Sequence, residues 1–396
     1  MSMFAFLFLV SQVCAVQGAR HVLWDATDRI PPSWTQTTRA TATDVLTFHV
    51  ALKHNQAEHI FKTLKQVSDP HSKQYAKYLS PHELKTLFAA PQSVQEQAES
   101  FFHDHEAECI SSGSSLKCKA TALAVEQMFD TEMYHFTRNN MVTSIVRHTN
   151  TLSIPDKLHD SIEFVTGLGS FFNFQSNKGK AHGVVSSVSG SGDGCGAQGA
   201  GCYVLPETIR TLYNVTEALA TGSSKTSVGV AEFAGNYNIN DADLKTFGVQ
   251  VASKTTPLLI NHRGGAPNDP SQQVSEEAQL DIQYTSGLGD GVQNWVWNQE
   301  HWMYALCQDL QNASESTRPS VISMSYAWSE SAQCSGTTGA GCSSLGVNAS
   351  VYVARTNQEF AKVGLLGISL LAASGDSGCA SKILIVVSCC FRCTNV

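Results

Sequence analysis

The chain has 396 residues, a length typical of two or three domains, and its hydrophobic content of 42% is ordinary for a folded protein. The formal net charge is −8, and no block of lysine and arginine interrupts the sequence. These features argue against a nucleic-acid partner, because such partners are bound through clustered positive charge.

The N-terminus has the pattern of a secretory signal. Residues 3–10 form a short apolar run, small residues follow, and Val16-Gln17-Gly18 is a plausible cleavage site. We therefore predict a signal peptide over residues 1–18, with a buried N-terminal strand as the alternative. Because the run is too short to span a bilayer, we expect no membrane span and a destination that is extracellular or lysosomal.

Sequons and cysteines agree with export. Asn-X-Ser/Thr sequons predict glycosylation at Asn214, Asn312 and Asn348. Twelve cysteines in an exported chain indicate disulfides rather than a metal site. The expected local pairs are Cys109 with Cys118, Cys195 with Cys202, and Cys334 with Cys342.

Residues from about 44 to 172 form the first compositional unit. A strand is predicted at 45–50, and apolar residues at helical spacing predict a helix around 60–67. Ser80-Pro81-His82-Glu83 has the N-cap, proline and glutamate of a helix start. A helix around 121–129 and a strand around 132–136 follow. This order predicts a small α+β domain of ferredoxin-like type.

A linker separates this unit from the rest of the chain. Residues 183–201 consist mostly of Gly, Ser, Ala and Val, a composition that buries little surface and is open to proteolysis. An exported globular unit followed by a cleavable linker suggests a propeptide, which we place at residues 19–182.

Strands and helices alternate beyond Cys202. Strands are predicted at 226–233, 294–297, 320–326 and 366–373; helices are predicted after Asn240, at 300–310 and at 347–363, the last closed by Gly364. Apolar strands that alternate with helices favour a parallel sheet covered on both faces, so the predicted fold class of this part is α/β. Ligands bind such sheets at the carboxyl ends of the strands.

Two stretches could carry chemistry. The first is Glu277-Ala278-Gln279-Leu280-Asp281, in which the two carboxylates would share one helix face. Adjacent carboxylates raise each other's pKa, which suits acid–base chemistry at acidic pH. The alternative is a solvated acidic helix face.

The second stretch, Ser374-Gly375-Asp376-Ser377-Gly378, closes an apolar strand. Either Ser377 is a nucleophile of chymotrypsin-like type, or Asp376 is the working group. No Ala-Ala-His-Cys segment lies upstream, and strand–helix alternation does not suit a β-barrel, so Ser377 is the weaker choice. His262 and His301 do not form a convincing triad either.

Together these residues resemble the sedolisin family of serine-carboxyl peptidases, and its tripeptidyl-peptidase branch in particular. The resemblance is carried by residues 277–281, by Val-Ile-Ser-Met-Ser-Tyr at 321–326, by Leu-Ala-Ala-Ser-Gly-Asp-Ser-Gly at 371–378, and by propeptide-like stretches at 67–71 and 75–81. It implies a subtilisin-like parallel sheet over residues 202–378, peptide or protein substrates, and the chain's own propeptide as a partner.

The resemblance also implies residue roles. Glu277 would be the general base toward a serine, Asp281 would orient Glu277, and Asp376 would be a protonated acid that stabilises the oxyanion. The family's Ser-Gly-Thr-Ser nucleophile motif and its calcium site both follow this segment, and neither is expected here.

The sequence departs from the family pattern near its end. Ser335-Gly336-Thr337-Thr338 lies upstream, between two cysteines, and residues 379–396 form an apolar, cysteine-rich tail unlike the family. We therefore expect this polypeptide to be inactive as a peptidase. The alternative function is a secreted decoy or inhibitor that acts through its propeptide domain.

Overall fold

The computed structural model describes residues 19–24, 30, 32–138, 144–171, 204–215, 227–233, 237–252, 260–264, 268–269, 274–289, 292–326, 333 and 347–373. The strands are β1 Arg20–Trp24, β2 Trp34–Arg39, β3 Val45–Leu52, β4 Glu108–Ser111, β5 Ser115–Thr121, β6 Met133–Arg138, β7 Ile145–His148, β8 Leu152–Pro155, β9 Ile162–Thr166, β10 Ser227–Phe233, β11 Ile260–Gly264, β12 Gln293–Gln299, β13 Val321–Met324 and β14 Ser369–Ala372. The α-helices are α1 Ala57–Ser68, α2 Pro81–Leu87, α3 Gln92–Asp104, α4 Ala122–Phe129, α5 Pro206–Leu212, α6 Asp241–Gln250, α7 Glu276–Leu288, α8 Met303–Asn312 and α9 Ala349–Leu365.

The N-terminal domain is built on an antiparallel sheet of four strands in the order β4-β5-β3-β9. Its chain order is β3, helices, β4, β5, α4, β9, which is the ferredoxin-like arrangement and confirms the predicted type. The β4–β5 hairpin supplies a strand pair that the sequence pattern did not reveal. Two smaller sheets, β2-β6-β7 and β1-β8, extend the domain.

Local signals in the sequence set the helix starts of this domain. Ser80 accepts a hydrogen bond from the Glu83 N–H while the Glu83 carboxylate accepts one from the Ser80 N–H, so the predicted capping box is present. Thr121 caps α4 by accepting from the Ala124 N–H. Cys109 and Cys118 lie opposite each other on β4 and β5 and form the predicted disulfide. The other two expected pairs lie outside the described residues.

The C-terminal part contains five parallel strands in the order β11-β12-β10-β13-β14, which confirms the predicted α/β class. Helices cover both faces. On one face Val230 and Val296 pack with Ile282 of α7, and on the other Phe233 and Ile322 belong to the cluster that includes α8 and α9. The carboxyl ends of all five strands therefore share one edge.

The predicted bounds of two helices in this part were wrong by two or three residues at each end. The helix expected at 300–310 begins at Met303, because His301 and Trp302 precede it in non-helical conformation and pack into the interior. The helix expected to close at Gly364 continues to Leu365, and the turn into β14 uses Gly367, which has a φ of +80°. At both positions tertiary packing, rather than the local sequence pattern, sets where the helix begins or ends.

The N-terminal domain packs directly on α8 and α9. Ile60 of α1 and Phe164 of β9 share one buried cluster with Tyr304 of α8 and Tyr352 of α9. The Leu79 N–H donates to the Leu365 carbonyl over 2.8 Å. The two parts of the molecule are thus joined by a continuous core. Among the helices of the described residues, none has the length and apolar character that a membrane crossing requires.

Candidate active site

Helix α7 positions the two predicted carboxylates. Ser275 is its N-cap and accepts a hydrogen bond from the Ala278 N–H over 3.1 Å. Glu277 and Asp281 lie four residues apart on the helix, so both side chains project from the same face. The helix packs on the middle of the sheet through Ala278 and Ile282, which cluster with Val230, and Asp281 lies beside Glu232 near the carboxyl end of β10. The predicted helix placement is confirmed, and the helix face is not simply solvated.

A third carboxyl group, Glu232, completes this cluster. Glu232 is the sixth residue of β10 and is fully buried, with both carboxylate oxygens lacking a hydrogen-bond partner. Asp281 and Tyr326 lie beside it without completing a hydrogen bond of normal geometry. Sequence reasoning missed this residue. The available signal was an acidic residue near the carboxyl end of an otherwise apolar strand.

Burial and mutual repulsion favour the protonated forms of these groups. Burial raises the pKa of Glu232 well above its usual range, and the charges of Asp281 and Glu277 raise it further. Burial also raises the pKa of Asp281, although the adjacent Ser325 hydroxyl and Glu232 partly offset this. The cluster therefore holds protons that isolated carboxyl groups would release, which suits proton transfer in acidic solution.

Asn298 lies next to Glu232 on the neighbouring strand. The two residues are register partners in β12 and β10, and the Asn298 side chain is fully buried with neither its oxygen nor its nitrogen hydrogen-bonded. The backbone of β11 approaches closely here, because a Cβ on Gly264 would overlap the Asn298 carbonyl oxygen. Unpaired polar groups are costly in a protein interior, so their concentration at this edge marks it as a site rather than ordinary core.

Several predicted residues lie outside the described part of the chain. These are Asp376, Ser377 and the Ser335–Thr338 stretch. The preceding strand is present as predicted: β14 pairs in parallel with β13 and ends at Ala372, on the same sheet edge as Glu232.

The histidines considered as triad members lie elsewhere. The Nε2 atom of His262 is 3.5 Å from an Asp241 carboxylate oxygen at the start of α6. His301 lies in the contact with the N-terminal domain, where its Nε2 is 3.2 Å from the Thr47 carbonyl. Neither contacts the carboxyl cluster in the described structure.

The remaining predicted sites are placed as follows. The sequon residues Asn214, Asn312 and Asn348 are all exposed. Within the described residues, no group of three or more histidine, cysteine or acidic side chains has an arrangement that could hold a metal ion.

A buried polar network fastens the N-terminal domain to α9. Arg355, which is fully buried, donates to the carbonyls of Leu52 and Ser114 and to the carboxylate of Glu163, at 2.7 to 2.8 Å. It also pairs with Glu359 one turn along the helix. All three of the first-named acceptors belong to the N-terminal domain, so one guanidinium holds three segments of that domain.

Glu359 is kept charged within this network. Burial alone would raise its pKa, but Lys362 and Arg355 together hold the pKa well below the usual range. Gln308 and Gln311 of α8 both donate to the same carboxylate over 2.9 Å. Burial lowers the pKa of Lys362 to about 8 against the opposing effect of Glu359, and Lys362 donates to the Ser114 hydroxyl.

Two histidines meet across the same interface. His49 of β3 and His301 are both buried, with ring centroids 5.7 Å apart. Burial, with a smaller contribution from Lys117, lowers the pKa of His49 to about 3. Burial likewise lowers the pKa of His301 well below its usual value, aided by Arg147. Both rings are therefore neutral at neutral pH.

These features define a class of protein. A ferredoxin-like domain packs against a parallel sheet that carries a buried carboxyl cluster at its carboxyl edge. It is a two-part organisation in which an N-terminal domain is docked on the part of the chain that carries the carboxyl cluster.

Comparison with known proteins gives the family. Residues 32–171 match the family model described as the Pro-kumamolisin activation domain. Physarolisin of Physarum polycephalum is 30% identical over 349 residues, which cover 87% of this chain and 56% of the relative. Tripeptidyl-peptidase 1 of Homo sapiens is 26% identical over 365 residues, which cover 88% of this chain and 59% of the relative. The chain thus spans a little over half the length of the relatives it matches.

The chain belongs to the sedolisin family of serine-carboxyl peptidases and carries the family's activation propeptide domain. The family predicted from the sequence is confirmed. The matched residues 32–171 fall inside the propeptide range of 19–182, whose outer boundaries stay predictions.

Proposed function

We propose that this chain is the precursor form of an acid peptidase of the serine-carboxyl type, in which Glu277 is the general base and Asp281 orients it. The observation that carries the proposal is the cluster of Glu277, Asp281 and buried Glu232 at the carboxyl edge of the sheet. Glu232 extends the pair inward, because its protonated carboxyl can share a proton with Asp281. Asp376, four residues past the end of β14 in the sequence, would donate a hydrogen bond to the oxyanion.

The general base needs a serine hydroxyl from which to remove a proton. The family's Ser-Gly-Thr-Ser motif does not occur in the printed sequence. In subtilisin, loss of the serine costs on the order of 10⁶ in turnover. We therefore propose that residues 1–396 by themselves do not hydrolyse peptides, and that the nucleophile and the calcium site belong to a longer form of the protein.

The finer assignments follow from the relatives' names and from the sequence. Several relatives are tripeptidyl-peptidases, so we propose release of tripeptides from peptide N-termini as the reaction of the longer form. The predicted signal peptide and the exposed sequons support a route through the secretory pathway, with the exterior or a lysosome as destination.

The experiment begins with the transcript beyond codon 378. If it encodes Ser-Gly-Thr-Ser, the extended chain should release tripeptides from a fluorogenic substrate at pH 4.5, and Glu277→Gln should reduce kcat about 10³-fold or more. Glu276→Gln is the matched control, because Glu276 is the exposed neighbour on the same helix. Equal losses in both variants would refute the assignment of Glu277.

The 396-residue chain is assayed in parallel. We expect no tripeptide release from it. Release that disappears in Glu277→Gln would overturn the proposed inactivity while supporting the role of Glu277.

The decoy function is less favoured. The face of the N-terminal domain that would bind another peptidase is covered by this chain's own α8 and α9 through Arg355 and the shared core. A decoy would first have to release that contact. Inhibition of a related peptidase by the intact chain would favour this second function.

A further inference from the structure

A cavity of about 380 Å³ lies between the N-terminal domain and the start of α9. We call it the interdomain pocket. Its polar lining comes from the N-terminal domain, namely Lys53, His54 and Glu163, with the His21 and His159 rings at 3.9 Å centroid separation. Val347 and Val351 close it from the α9 side. No part of the carboxyl cluster lines this cavity, so it is separate from the candidate active site.

Lys53 gives the pocket an unbalanced positive charge. In the described part of the chain, no carboxylate forms an ion pair with Lys53. The acidic residue of the lining, Glu163, is already held by Arg355 at 2.7 Å. The pocket therefore has room for one additional negative charge next to Lys53.

His54 adds a directed hydrogen-bond donor. Its Nδ1 accepts from the Gln56 N–H over 3.2 Å, so the proton of the neutral ring is on Nε2. That Nε2 is buried and has no hydrogen-bond partner. An oxygen atom in the pocket would satisfy this donor, and a buried donor without a partner is costly.

Burial and neighbouring charges lower the pKa values of two histidines in the lining, His21 and His54. At His21, burial lowers the pKa first, and the charges of His159 and Lys53 lower it further against Asp156. At His54, burial is again the main cause, and Arg355 and Lys362 lower the pKa against Glu359. Of these cations only Lys53 lines the pocket, whereas Arg355 and Lys362 are paired with Glu359.

We propose that the interdomain pocket binds a small aliphatic monocarboxylate, with its charged end on Lys53 and the His54 Nε2–H. The single uncompensated cation matches one negative charge, and the apolar wall of Leu23, Ile162 and Val351 suits a short hydrocarbon chain. Because the walls come from both domains, an occupied pocket stabilises the docked arrangement by mass action.

Isothermal titration calorimetry of the 396-residue chain with sodium valerate tests the proposal, against sodium chloride at equal ionic strength. We expect saturable binding to one site with a Kd below about 10 mM. Lys53→Met should weaken binding about tenfold or more, because it removes a charge-assisted hydrogen bond. Lys65→Met is the control, since Lys65 is an exposed residue of α1 away from the pocket.

The comparisons separate the possible outcomes. If Lys53→Met does not fold, Lys53→Gln keeps a polar side chain and serves in its place, with the same expected loss. Pentanol, which lacks the charge, should bind at least tenfold more weakly than valerate. Inorganic phosphate that binds as tightly as valerate would overturn the carboxylate assignment. Unsaturated titration, or binding that survives in both Lys53 variants, would overturn the site itself.

Discussion

Replacing Arg355 by methionine tests whether the polar network fastens the N-terminal domain. Methionine keeps most of the aliphatic length but removes one hydrogen-bond donor from each of the Leu52 and Ser114 carbonyls, and it removes the cation paired with Glu163. Glu359 stays buried and loses one of its two cations. Breaking a buried ion pair by removing one partner costs about 3–5 kcal/mol. We expect a loss of unfolding free energy in that range.

Urea unfolding followed by tryptophan fluorescence measures this loss at pH 7. Arg39→Met is the matched control, because Arg39 also contacts two carboxylates but its side chain is 53% exposed. Its effect should be small, since exposed ion pairs contribute little. Arg355→Lys should fall between wild type and methionine, because an ammonium cannot reproduce the planar fork of donors. A change in Arg355→Met no larger than in Arg39→Met would refute the reasoning.

Three other perturbations have defined outcomes. The stability that neutral His49 contributes is fully present above pH 6.5 and is lost as the pH falls toward the folded pKa of about 3. Urea unfolding should therefore show a loss of unfolding free energy in the wild type between pH 7 and pH 4.5. In His49→Phe this loss should be smaller by about 2–3 kcal/mol. Gly264→Ala should lower the unfolding free energy by about 1–3 kcal/mol, because its φ is +97° and the added Cβ would meet Asn298, and an unchanged denaturation midpoint would contradict this. Cys109→Ser should lower the unfolding free energy by about 2–3 kcal/mol, because it opens the loop that the disulfide to Cys118 closes. Reduction of the wild type should reproduce that loss in the same assay.

Local signals in the sequence predicted much of the fold. The capping box at Ser80 and the cap at Asn240 depend on residues within one turn of the helix start, so the pattern alone located them. The alternation of apolar strands with helices predicted the parallel sheet, because this pattern is also visible directly along the sequence. Two of the wrong helix bounds, at Met303 and Leu365, lie where side chains pack into distant parts of the molecule.

The parts that the sequence did not reveal depend on contacts between distant residues. Arg355 donates to the Leu52 carbonyl, which is 303 positions away in the sequence. The sequence around Arg355 therefore does not indicate this hydrogen-bond partner. Glu232 had no motif of its own, and only the fold places it against Asp281. Glu277 and Asp281 were found from spacing and family resemblance, yet their effect on Glu232 could be seen only once α7 was packed on β10.

Acid acts in opposite directions on two pairs of buried titratable residues in the described part of the chain. Glu232 and Asp281 have raised pKa values, so their contribution to stability is present at low pH and is lost as the pH rises through the folded pKa. His49 and His301 have lowered pKa values, so their contribution is present at neutral pH and is lost as the pH falls. The carboxyl cluster lies at the carboxyl edge of the parallel sheet, whereas the histidines lie in the contact with the N-terminal domain. We therefore expect lower pH to act against the two buried histidines at the contact between the domains, under conditions that favour the protonated carboxyl cluster.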